Sequence, residues 1–433
     1  MSRPITLAGW LAYLETLHPK SIAMGLARVR DVHARLPLAL GCPVITVTGT
    51  NGKGSTCAML EAILRCSGYR VGLYTSPHLL RYNERVRIDG REATDDDLLA
   101  AFNAVEDARR LNTQAEGTPL TYFEFGTLAA LWLFANAKLD ALILEVGLGG
   151  RLDAVNIVDP DVAVVTTIGI DHVDYLGSTR DDIGREKAGI FRANRPAICG
   201  DRNAPQTLID HAAILHVRLL RIGVDFDVHV DGAQWRYRGP GCDRYGLPMP
   251  ALRGSYQLEN AAVVITALDS LRDRVAVTSG AVREGLVSVE LPGRFQVLPG
   301  RPTIVLDVAH NPHAANALAD ALGAMGFYPQ THAVFGMLAD KDARGVVEAT
   351  KARIDRWYVA GLPGTRGATA APVIEALANA GVAPSTIHRF ETIESAFHAA
   401  RDRADDADRI VVFGSFLTVG AALTTARPGS LIA

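Results

Sequence analysis

The stretch Gly49-Thr50-Asn51-Gly52-Lys53-Gly54-Ser55 constrains this chain more than any other. It lies between a short β-branched run, residues 43–48, and a stretch of helix formers, residues 55–67, which Gly68 closes. A further strand pattern follows at residues 71–75, so the loop sits inside one βαβ unit. Glycines let the backbone curl until its N–H groups face an anion. The following helix adds a partial positive charge, and Lys53 adds a full one. Ser55 stands where a phosphate-loop hydroxyl meets Mg²⁺. Only Thr50 and Asn51 separate the first glycine from the Gly-Lys pair, a shortened variant of the usual spacing. The loop by itself predicts a nucleoside triphosphate site and does not say which chemistry uses it.

The rest of the pattern predicts an α/β protein. Residues 139–146 and 162–168 are largely apolar runs, as in strands buried on both faces. Residues 95–112 and 124–136 read as helices. These elements make a doubly wound N-terminal domain containing the phosphate loop. Residues 225–252 are rich in Gly, Pro and Tyr and read as a small antiparallel β insertion before a helix at residues 260–270. Leu291-Pro292-Gly293 marks a boundary. Beyond it strand patterns at 303–308, 332–336, 357–360 and 410–414, with a helix from Pro312, predict a smaller Rossmann-like C-terminal α/β domain.

The formal net charge of −3 is too balanced for a dedicated nucleic-acid binder, and no nucleic-acid partner is expected. The cysteines Cys42, Cys57, Cys66, Cys199 and Cys242 are dispersed and form no CxxC pair, so reduced thiols are expected. Residues 1–20 lack a long apolar segment, and residues 128–135 and 410–423 are too short or too broken by glycine to span a bilayer. A cytoplasmic protein without a membrane partner is the expectation.

Ligands of open α/β sheets bind beyond the carboxyl ends of the strands. Ser76, Glu145 and His172 occupy such places, and a hydroxyl, a carboxylate and an imidazole can share a Mg²⁺ shell with phosphate and water. Mg²⁺ prefers oxygen, so Asp171 is an equal candidate to His172. Lys187, in Arg185-Glu186-Lys187-Ala188-Gly189-Ile190, reads as an exposed lysine at a helix end. A lysine held near other cations loses its proton more easily and then adds CO₂ to form an anionic carbamate.

Together these segments resemble the bacterial bifunctional dihydrofolate synthase/folylpolyglutamate synthase family of the Mur-ligase superfamily. The likeness extends through Ser76-Pro77-His78-Leu79, Leu120-Thr121-Tyr122-Phe123-Glu124, Glu145-Val146-Gly147-Leu148-Gly149-Gly150-Arg151-Leu152-Asp153-Ala154 and the Lys187 segment. It continues in Asn260-Ala261-Ala262, Leu291-Pro292-Gly293-Arg294-Phe295, Asp307-Val308-Ala309-His310-Asn311-Pro312 and Gly414-Ser415-Phe416.

The resemblance implies an ATP-dependent ligase that adds L-glutamate to dihydropteroate and to tetrahydrofolate through an acyl phosphate. Residues 1–295 would form the ATP-binding central domain with the pterin site, and residues 296–433 the glutamate-ligase domain. Thr50, Asn51, Gly52 and Lys53 would hold ATP phosphates. Asn260, Arg294 and Asp307 would also contact ATP, with His310 counted among the catalytic residues beside Lys53 and Lys187. Ser55, Ser76, Glu145 and His172 would bind Mg²⁺, and carbamylated Lys187 would serve a second ion. Ala23, Met24, Gly25, Thr121, Tyr122, Phe123, Glu124, Leu152, Asp153 and Ala154 would line the pterin pocket. There Phe123 offers a ring face and Asp153 an acceptor for pterin N–H groups. Family members often carry an acidic residue where this chain has Ala23. A monomer is implied.

Overall fold

A computed structural model describes residues 3–111, 117–364 and 366–426. The chain divides into two compact units. One comprises the chain up to Ala251 together with Leu258–Val289, and the other Leu252–Gln257 together with the chain from Glu290 onward.

The first unit is built on an eight-stranded sheet. Its strands run in the order Arg91–Glu92, Val86–Ile88, Val71–Tyr74, Ala141–Glu145, Val44–Thr48, Val162–Val165, Pro196–Cys199 and Arg218–Arg221. All neighbouring pairs are parallel except the two that involve Val86–Ile88. The central strands Val44–Thr48, Ala141–Glu145 and Val162–Val165 are buried along their whole length, which is why they read as β-branched or apolar runs rather than alternating ones. Being adjacent and parallel, they deliver residues 49, 146 and 166 to the same edge of the sheet.

Helix Lys53–Cys66 begins two residues earlier than its composition indicated, because Gly52 adopts a left-handed φ of 84° and turns the chain directly into it. Helices Leu7–Thr16, Ala27–His33, Asp95–Arg110 and Tyr122–Asn136 pack among themselves. The last starts at Tyr122 because the Thr121 hydroxyl accepts from Glu124 N and the Glu124 carboxylate accepts from Thr121 N, a reciprocal cap. The helix expected over 95–112 runs over Asp95–Arg110, and Asn112 lies outside the described residues.

The antiparallel insertion is present as Asp227–Asp231, Gln234–Arg238 and Arg244–Pro248, with Gln234–Arg238 in the middle. Trp235 and Tyr237 point inward on that strand, and the Tyr237 hydroxyl lies 2.8 Å from Thr266 Oγ1 on the next helix. That helix runs from Tyr256 to Asp269, four residues earlier at its start than the apolar pattern implied. The strands Pro196–Cys199 and Arg218–Arg221 and the hairpin Val86–Ile88/Arg91–Glu92 escaped the sequence reading; the hairpin strands are too short to show a period.

The second unit holds a six-stranded sheet in the order Gln296–Leu298, Thr303–Leu306, Arg409–Phe413, Thr331–Phe335, Arg356–Ala360 and Ile387–Phe390. Only the first pair is antiparallel. Phe335, Trp357 and Phe413 fill its core, with the Phe335 and Phe413 rings 4.8 Å apart. Among the described residues, no helix is long and apolar enough to cross a membrane.

Candidate active site

The phosphate loop is strapped to the segment that leaves strand Val162–Val165. Thr50 N donates to Thr167 O at 2.8 Å, and Asn51 N to Thr167 Oγ1 at 3.1 Å. Thr166 Oγ1 donates to Asn51 O at 2.6 Å. The Thr50 hydroxyl donates to Gly169 O and accepts from Gly169 N, both at 3.0 Å. A Cβ on Gly49 would stand 1.8 Å from Thr166 Oγ1, so only glycine admits this close approach. A Cβ on Gly52 would meet Asn260 Oδ1 at 2.8 Å, which places Asn260 directly against the loop. Lys53 folds back over the turn, donating from Nζ to Gly49 O at 3.0 Å and Thr50 O at 3.3 Å. Thr166 and Thr167 are thus structural members of the site that the sequence reading missed. Two threonines closing an apolar strand were the available signal.

Ser55 lies buried in the first turn of Lys53–Cys66, and Glu145 is buried at the end of its strand. Glu145 is therefore no solvated strand end. Its Oε2 accepts from Ser76 N at 3.0 Å, which draws Ser76 toward the same sheet edge. His172 has a left-handed φ of 52° and its N–H donates to Asp171 Oδ1 at 2.8 Å. Among the described residues, no group of three or more His, Cys, Asp and Glu side chains could enclose a metal unaided. The oxygens of Ser55 and Glu145 suit a hard cation whose remaining ligands are phosphate and water.

Lys187 corrects its sequence reading. It sits in the last turn of helix Arg180–Ala188, but it is only 2% exposed. Burial lowers its amine to about 7, helped by the positive charge of Lys53 and opposed by Asp171 and Asp153. Close by in charge, Asp153 is raised to about 7 by burial, against backbone N–H donors and Lys53. The Asp153 oxygens already accept from Leu148 N at 2.8 Å and Val155 N at 3.0 Å. Asp153 therefore first serves to shape the glycine-rich turn and cap the short helix Ala154–Ile157, ahead of any role as a ligand acceptor.

The three segments assigned to the pterin pocket converge. Gly25 N donates to Leu152 O at 3.4 Å, and the Met24 methyl lies 3.9 Å from the place a Cβ on Gly149 would take. Phe123 covers Gly147 so closely that a Cβ there would fall 2.6 Å from its ring. The rings of Phe123 and Tyr74 stand 5.9 Å apart, and Arg85 lies over both Tyr82 and Tyr122, 5.3 and 5.6 Å from their centroids.

In the second unit, Arg294, Asp307 and His310 gather around one corner. Arg294 lies over the Phe416 ring at 4.9 Å, and His310 Nδ1 is 2.8 Å from Val308 O. Buried Asp307 accepts from Phe295 N and Ala309 N, each at 2.8 Å, and burial raises its carboxyl despite Arg294.

Residues 47–268 match the Mur ligase middle domain, and residues 293–416 the Mur ligase, glutamate ligase domain. The chain is 47% identical over 414 residues to the dihydrofolate synthase/folylpolyglutamate synthase of Escherichia coli K12, covering 95% of this chain and 94% of the relative. The solved structure of the E. coli enzyme with DHPP and ADP superposes with a TM-score of 0.91 at 45% identity, covering 97% of each chain. A bifunctional folylpolyglutamate synthase/dihydrofolate synthase with Mn, AMPPNP and L-glutamate bound gives a TM-score of 0.88 at 45% identity, covering 97% of this chain and 98% of that one. With both domains matched and nearly the whole length covered, this chain is an ATP-dependent ligase belonging to the dihydrofolate synthase/folylpolyglutamate synthase family of Mur ligases.

Proposed function

We propose that this chain couples L-glutamate to 7,8-dihydropteroate, giving dihydrofolate, and to tetrahydrofolate and its polyglutamates, with release of ADP and phosphate. The observation that carries the reading is that one unit holds both the phosphate loop and the converging segments 23–25, 121–124 and 152–154, close enough for Lys53 to act on Asp153.

A carboxylate oxygen of the acceptor attacks the γ-phosphorus of ATP and ADP leaves, forming an acyl phosphate. The glutamate amine then attacks the acyl carbon, phosphate leaves, and the amine proton is lost. Thr50, Asn51 and Gly52 present the loop to the phosphates, and Lys53 exchanges its two carbonyl partners for phosphate oxygens as charge develops there. Mg²⁺ held by Ser55, Ser76, Glu145 and His172, with a second ion on carbamylated Lys187, would neutralise phosphate charge. A buried amine near 7 supports the carbamate assignment, because the neutral amine is the form that adds CO₂.

Asn260, Arg294 and Asp307 are assigned to ATP, and His310 to the catalytic group. Ala23, Met24, Gly25, Thr121, Tyr122, Phe123, Glu124, Leu152, Asp153 and Ala154 are assigned to the pterin surface. The functional division is assigned to residues 1–295 for the phosphate loop and pterin surface and 296–433 for glutamate ligation; residues 290–295 fold with the second unit. The protein acts as a cytoplasmic monomer. Phosphate release measured with dihydropteroate and with tetrahydrofolate in parallel, with product masses, tests the reading. Each acceptor should gain one glutamate residue per phosphate released. Turnover of tetrahydrofolate alone would reduce the assignment to a folylpolyglutamate synthase.

A further inference from the structure

Arg28 belongs to none of the motifs that point to the site, yet its guanidinium joins two of the three segments that converge there. Nη2 donates to Ala23 O at 2.8 Å and to Glu124 Oε1 at 2.9 Å, while Nε lies 3.4 Å from Glu124 Oε2. Glu124 is buried, and its Oε2 also accepts from Thr121 N at 2.8 Å. The carboxylate is thus divided between closing the start of helix Tyr122–Asn136 and gripping Arg28.

In the loop around Ala23, Met24 packs against the hydrophobic core. The Ala23 side chain is a methyl group. Gly25 has a φ of 141°, and a Cβ there would meet nothing within 4 Å. The backbone of residues 23–25 is tied by a pair of bonds: the Ala23 carbonyl on Arg28 and the Gly25 N–H on Leu152 O. A planar guanidinium can serve a carbonyl and a carboxylate at once in fixed directions, whereas an ammonium cannot keep that fork.

We infer that Arg28, acting through Glu124 and the Ala23 carbonyl, is a positioning residue that sets the pterin-side surface and hence the affinity for the pteroate acceptor. The inference rests on the proposed function, in which segments 23–25 and 121–124 face that acceptor. Arg28 sets the spacing between those two segments, and Glu124, within the pterin surface, orients it.

Steady-state kinetics of wild type, Arg28→Lys and Arg28→Met, varying dihydropteroate and ATP separately, test it alongside thermal melting. Arg28→Met should raise KM for dihydropteroate by about tenfold or more, since a small displacement of a binding surface is costly, with KM for ATP changed by less than about twofold. Arg28→Lys should fall between. Glu124→Gln should raise the same KM, and the double variant Arg28→Met/Glu124→Gln should add little further, as partners in one interaction do. An unchanged KM for dihydropteroate in Arg28→Met overturns the inference, as does a parallel rise in both KM values. If Arg28→Met does not fold, Arg28→Lys decides on the same split. Wild type that turns over tetrahydrofolate but not dihydropteroate would defeat the proposed bifunctional reading instead, and the KM split would then be read with tetrahydrofolate.

Discussion

The phosphate loop occupies consecutive residues, and its hold on the rest of the unit comes from backbone groups and threonine hydroxyls of residues 166–169. The proposed pterin-side surface is the opposite: its parts come from three places, and the bond that ties the first two spans 96 residues of sequence. There, the Arg28 guanidinium on Glu124 and the backbone bond from Gly25 N to Leu152 O do the joining, while Asp153 shapes its own segment through Leu148 N and Val155 N. A contiguous loop tolerates change poorly at glycines and at its one lysine. A dispersed surface is sensitive at the side chains that link its pieces.

The largest expected effect is Lys53→Ala. It removes the charge that the loop holds in place and should lower kcat by about 10²–10³-fold or more with the melting temperature nearly unchanged. Near-normal turnover would detach the loop from the chemistry altogether. A paired test of the contrast comes next. Gly52→Ala forces a side chain into a left-handed φ of 84° and onto Asn260 Oδ1 at 2.8 Å, and should raise KM for ATP by about tenfold. Gly147→Ala pushes a Cβ to 2.6 Å from the Phe123 ring and should instead raise KM for dihydropteroate. If both variants affected both substrates equally, the two sides would not be separable.

Lys187 sharpens the comparison because it feels charges from both sides. In the folded chain its amine titrates near 7, against an ordinary value of 10.5. Between those values the unfolded chain holds the extra proton, so the contribution of this group to stability rises with pH and is least favourable below about 7. Lys187→Met removes the buried charge. In metal-free, bicarbonate-free buffer its melting temperature should therefore exceed that of wild type most below about pH 7, and the gap should narrow toward about pH 9. A gap independent of pH would mean the amine is not held at a lowered value. Asp153 contributes the opposite trend, losing stability as pH rises from its ordinary value of 3.8 to about 7, but it is present in both proteins. The smallest effect belongs to Phe123→Leu, which keeps the apolar cover over Gly147 but loses the ring. KM for dihydropteroate should rise by only about three- to tenfold, consistent with loss of one aromatic contact.

The sequence by itself determined the α/β character, the central strands and the phosphate loop, because each is written in adjacent residues: β-branched or apolar runs for strands buried on both faces, and glycines where the backbone must approach an anion. It also carried the antiparallel insertion, through the alternation of Trp235 and Tyr237 with exposed neighbours. It missed the hairpin at Val86–Ile88, too short for a period, and the early start of helix Tyr256–Asp269. Only the tertiary structure decided that Lys187 is buried, that Asp153 spends its oxygens on backbone N–H groups, and that Arg28 bridges Ala23 and Glu124. Burial and pairing depend on what the fold brings near from distant parts of the chain. A lysine in a charged helix turn looks the same in sequence whether it faces water or the sheet edge, and it is the removal of water that changes its chemistry.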